Sequence, residues 1–114
     1  MNIEEKLSQL KGSKFRSKFT LKQKEIDYVN EKGLDVIRKH AVDFVNQKLK
    51  VKLDNDGKQT PYKGHPVFIT QHATATCCRK CLNKWYGVPI DKTLDNKEIN
   101  ALVNVIMTFI KKSL

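Results

Sequence analysis

The chain has 114 residues, a hydrophobic fraction of 39%, a charged fraction of 30% and a formal net charge of +10. That length fits one domain with a core of its own, needing neither disulfides nor metal for bulk, and the composition excludes a disordered chain. No apolar run approaches the roughly 20 residues that span a bilayer, and the opening Met1-Asn2-Ile3-Glu4-Glu5 has no basic segment followed by an apolar stretch, so the expectation is a cytoplasmic protein with no membrane partner. In that compartment three clustered cysteines point to metal binding, thiol chemistry or burial before they point to disulfides, and no disulfide-linked partner is expected.

From the N-terminus, Ile3, Leu7 and Leu10 recur at helical spacing, Asn2 is placed to cap, and Gly12 ends the pattern. Between Lys11 and Lys24 stand six bases (Lys11, Lys14, Arg16, Lys18, Lys22, Lys24) and no acid, with Phe15 and Phe19 among them. Such a segment can contact phosphates while an aromatic ring stacks on a base. The plainer reading is a solvated basic surface that two phenylalanines anchor to the core. Thr20-Leu21-Lys22-Gln23 has capping-box form and predicts a second helix ending at Gly33. Leu34, Ile37, Ala41, Phe44, Val45 and Leu49 share one face and predict a third helix, with His40 at its edge. From about 50 to 65 the periodicity fails; Asp54-Asn55-Asp56-Gly57 is turn chemistry, and Pro61 forbids a helix there.

The stretch from Gly64 to Cys78 carries no charged side chain, and the segment to Cys81 holds all three cysteines and two of the three histidines. Pro66 suits the first turn of a helix, and Gly87-Val88-Pro89 suits its end, which predicts one helix from Pro66 to Tyr86. The β-branched residues favour an alternative: a strand over 67–72, then a helix starting after Thr74 or Thr76. Charge placement favours the single helix, because a helix starting near Cys77 would set Arg79 and Lys80 against its own positive end. The last helix opens with a capping box at Asp95 and Glu98, has a Leu94–Ile99 staple, and ends with Lys111 and Lys112 at its negative pole. The expected architecture is a compact all-α single domain over 1–114, with four to five helices and one long loop.

Cys78-Arg79-Lys80-Cys81 is a Cys-x-x-Cys with Cys77 adjacent, which is half of a structural zinc site. On a helix the three cysteines fall within an arc of roughly 100°. Completion would need two of His65, His72 and Cys77, or His40 from another helix; on a straight helix His65 and His72 lie about 10 Å apart and cannot share one ion. Burial alone, metal binding and redox chemistry all remain open for the cysteines. No His-x-Glu box of a zinc deaminase and no glycine-rich phosphate loop is present.

The run Asn55-Asp56-Gly57-Lys58-Gln59-Thr60-Pro61, then Gly64-His65-Pro66-Val67-Phe68, Gln71-His72-Ala73-Thr74-Ala75-Thr76-Cys77-Cys78-Arg79, Cys81-Leu82 and Lys84-Trp85 is similar to the signature of a small prokaryotic family catalogued only as a domain of unknown function. Phe15 to Phe19 and Ile37 to Ala41 resemble its earlier segments, so the likeness covers most of the chain and implies a stand-alone member. One departure is Tyr86, where the family pattern implies a histidine; this weakens position 86 as a metal ligand. The resemblance implies no activity. Taken together, the sequence predicts a basic protein that binds zinc through Cys77, Cys78 and Cys81 with His65 or His72, and contacts nucleic acid through the Lys11–Lys24 segment. The alternatives are a small enzyme, with its site between the 55–63 loop and His65/His72 and a cysteine as nucleophile or redox thiol, and a metal-free interaction module.

Overall fold

The structure is a computed structural model describing residues 1–114. Six α-helices and one 3-10 turn, with no strand, follow in order: α1 (Ile3–Lys11), the 3-10 turn (Arg16–Lys18), α2 (Gln23–Lys32), α3 (Leu34–Leu49), α4 (Pro66–Ala73), α5 (Arg79–Tyr86) and α6 (Asn96–Ser113). No helix is long and apolar enough to cross a membrane.

The terminal helices form where their capping chemistry lies. Asn2 Oδ1 accepts from the Glu5 amide at 3.0 Å, and Asp95 and Glu98 form both halves of a capping box at 2.8 and 3.0 Å. Helix α2 differs from the Thr20 box: it starts at Gln23, and Glu25 takes the Lys22 amide at 2.8 Å. The start moves because Leu21 turns into the core ahead of the helix, and an acid in the first turn satisfies the free amide. The main core lies between α3 and α6, where Ile37, Val45 and Leu49 meet Val103, Ile106 and Ile110, all essentially inaccessible. Helix α4 crosses α6 and adds Val67 and Ile69 to this core.

The predicted single helix from Pro66 to Tyr86 is two helices joined by a turn, which raises the total to six. Its predicted ends are right and its middle is not. Thr76 donates its amide to Gln71 O at 2.8 Å across Ala75, which sits at φ 57°, the left-handed conformation that normally belongs to glycine after a helix. For alanine this costs about 1–2 kcal/mol. The Ala75 methyl is fully buried against Leu7, Leu10 and Val105, and Gln71 Nε2 donates to Thr76 O at 3.0 Å; both hold the chain in the turn.

The charge objection to a helix starting near Cys77 is met by tertiary partners. Asp56, from the 50–65 loop, accepts from the Arg79 amide at 2.9 Å and the Lys80 amide at 3.1 Å, capping α5 from a distant part of the chain. The Arg79 side chain is fully buried and reaches away from its own helix start to the carbonyls of Leu49 (3.2 Å), Lys50 (3.3 Å) and Pro89. The first two carbonyls form the negative end of α3, which compensates the cation without a carboxylate.

Candidate metal centre

The turn carries Cys77 and Cys78 into α5. Cys78 is the N-cap of that helix in extended conformation, and its Sγ takes the Cys81 amide at 3.4 Å. This curls the cysteines around one point: Cys78 Sγ lies 3.0 Å and Cys77 Sγ 3.5 Å from Cys81 Sγ, and all three sulfurs fall within 4.8 Å of one another. The cluster is thus a product of the turn rather than of a shared helix face. Cys77 and Cys78 are buried and Cys81 is partly exposed.

Arg16 completes the arrangement. The 3-10 turn aims its guanidinium inward, where Nη2 donates to Cys81 Sγ at 3.0 Å and Nη1 donates to Cys77 Sγ at 3.4 Å and to His72 O at 2.9 Å. Burial alone would lower the arginine's pKa, but the bonds and charges of Cys77 and Cys81 prevail and raise it. Cys81 is held far below the usual thiol range by hydrogen bonds from Cys77 and Cys78, and then by Arg16. Cys77 is pushed up by its contacts with Cys78 and Cys81 and by burial. A permanent cation thus stands beside Cys81, an arrangement that favours the thiolate form of this residue.

The loop locks this unit in place. Thr60 Oγ1 donates to Cys77 O at 2.8 Å, and the Gln59 side chain links Lys48 O (3.2 Å), Asp56 Oδ1 (2.9 Å) and the Gly57 amide (2.7 Å). The Tyr86 hydroxyl donates to Thr74 O, so position 86 braces the turn.

The two histidine rings lie outside the sulfur group, in different settings. His65 is the N-cap of α4: its Nδ1 accepts from the Val67 amide at 3.0 Å, which leaves the proton on Nε2 to be given to His40 Nδ1 at 3.0 Å. The rings of Tyr28, Phe44 and Phe68 surround it, and burial, then His40, lowers its pKa to about 4. His72 Nε2 faces Thr60 O at 2.9 Å and must carry the proton, since a carbonyl only accepts. Neither ring belongs to the group of ligand atoms within 4.8 Å, which is made of cysteines alone.

Within the basic segment, Lys11, Lys14, Lys18, Lys22 and Lys24 are exposed. Arg16, expected among them, is only 8% exposed and belongs to the thiol cluster. Phe15 is exposed and Phe19 half-buried, and the two rings meet edge to face at 5.2 Å. Reasoning from sequence missed Arg16, Asp56, Gln59, Thr60 and Arg79 as parts of the centre. All five fall inside the family-like strings, which is the signal that could have marked them.

Fold and site together define a small all-helical domain in which a cysteine triad is backed by a buried arginine. The chain belongs to the family described as a domain of unknown function (DUF4186), which it matches over residues 4–111. No solved structure matches the chain.

Proposed function

We propose that the protein holds one zinc ion through Cys77, Cys78 and Cys81, and that this unit fixes a basic surface which contacts nucleic acid. The observation that carries the reading is the convergence of three sulfurs within 4.8 Å. Tetrahedral zinc with Zn–S near 2.3 Å sets neighbouring sulfurs roughly 3.8 Å apart, so the separations of 3.0 and 3.5 Å need only a small spreading. Three thiolates and Zn²⁺ leave one negative charge, which the Arg16 guanidinium offsets while orienting two of the three ligands. Three protein ligands leave a fourth position for water or another ligand. When bound, zinc would tie the 3-10 turn to the α4–α5 turn through the Arg16–cysteine contacts. The nucleic-acid half is supported by the five exposed lysines, which lie in a segment without acids and beside an exposed aromatic ring.

A second reading rests on a specific contact: Cys78 at the N-terminus of α5, 3.0 Å from a low-pKa Cys81, also suits a dithiol redox pair. Metal analysis of protein purified without a histidine tag separates the two. Zinc binding predicts about one zinc per chain, lost in Cys78→Ser and Cys81→Ser, and an affinity weakened about 10- to 100-fold in Arg16→Gln. Absence of zinc, with rapid alkylation of Cys81 in the folded protein, would instead favour the redox pair.

A further inference from the structure

We propose that Tyr62 is a stacking platform for an unpaired base, which makes the partner of the basic surface a single-stranded nucleic acid; this rests on the nucleic-acid half of the reading above. Tyr62 is 62% exposed, an unusual setting for a large aromatic ring in a loop whose neighbours Gln59 and Thr60 are buried. The ring is nevertheless stacked on its neighbours. It lies 4.3 Å from the His72 ring at an interplanar angle of 17°, and 6.0 Å from Phe19 at 14°. His72 is itself tied to Thr60 O at 2.9 Å and lies 5.1 Å from Phe19. One side of the tyrosine is thus covered by the His72 and Phe19 rings, and the rest is open to solvent.

A flat, rigid, half-open ring can accept another flat ring without prior ordering, which favours binding. Phe15, 43% exposed, extends the same aromatic group through Phe19 and lies under the Arg16 guanidinium at 5.0 Å. The exposed Lys14 and Lys18 flank Phe15, and the exposed Lys63 follows Tyr62. Aromatic faces interleaved with cations match a strand that alternates bases and phosphates. A duplex offers the phosphates but keeps its base faces stacked inside, so a platform of this kind selects unpaired bases. The thiol centre supports the platform: Arg16 bridges Cys77 and Cys81 to His72 O, on the residue that underlies Tyr62.

The test is fluorescence anisotropy with a labelled single strand, in DNA and RNA forms, its duplex, and an abasic strand with the same number of phosphates, each over a range of salt. The expected result is that the base-bearing strand binds about ten-fold or more tighter than the abasic one, and that Tyr62→Ala removes this advantage without changing the salt dependence. Tyr62→Phe, which keeps the ring, should retain it. Equal affinity for abasic and base-bearing strands, or no effect of Tyr62→Ala, would overturn the platform while salt-sensitive binding leaves the nucleic-acid reading standing. No binding of any strand at low salt would overturn both.

Discussion

His65 gives one imidazole two partners, and its protonation state decides whether both survive. As the neutral ring it accepts the Val67 amide at the start of α4 and donates to His40. An imidazolium has no lone pair for that amide, and burial among Tyr28, Phe44 and Phe68 disfavours its charge. The folded-state pKa near 4 lies below the ordinary 6.5, so acidification loads the unfolded chain with a proton before the folded one. The contribution of His65 to stability is therefore full above pH 6.5 and is lost as pH falls toward 4. After discounting for the partial exposure of the ring, the loss should be about 1–2 kcal/mol. Urea midpoints measured across this window should fall more steeply for the parent than for His65→Asn, which keeps a capping acceptor and does not titrate. Parallel curves for the two proteins would remove His65 as the acid-sensitive group.

At the scale of elements, the α4–α5 turn decides whether a thiol centre exists. On one straight helix the cysteines would share a face, but the turn makes Cys78 a cap and draws the sulfurs together. The ends of this region were legible because Pro66, Gly87 and Pro89 act locally. The break was not, since its helix stop uses Ala75 where glycine is the usual signal, and its stabilisation comes from Leu7, Leu10 and Val105. The charge argument for a continuous helix was sound locally and was overridden by Asp56, a residue 23 positions away from the Arg79 amide it accepts. Burial would raise the Asp56 pKa, but the Arg79 amide, Gln59 and the Lys80 amide hold it below its ordinary value. Asp56→Ala leaves those two amides without an acceptor and should cost about 1–2 kcal/mol in the urea midpoint, as the loss of a helix cap does. An unchanged midpoint would show that α5 needs no cap from the loop.

In the whole molecule, the core and the centre differ in how far their parts lie apart along the chain. Helices α3 and α6 were readable with their stripes because each stripe is periodic within one segment. The centre joins the 3-10 turn around residue 16, loop residues 56–60 and the cysteines at 77–81, and no periodicity links those segments. The uncharged run from Gly64 did signal burial: residues 69–79 are buried without interruption. The basic stretch reads as one surface in the sequence, whereas the fold takes Arg16 inside and leaves the lysines outside. The zinc reading depends on what the three converged sulfurs hold. X-ray absorption spectroscopy at the zinc edge, on tag-free protein loaded with one equivalent of zinc, measures this directly. The predicted result is three sulfur neighbours at about 2.3 Å and one lighter oxygen or nitrogen neighbour. A shell of oxygen and nitrogen alone, or zinc that washes away from the folded protein, would contradict it.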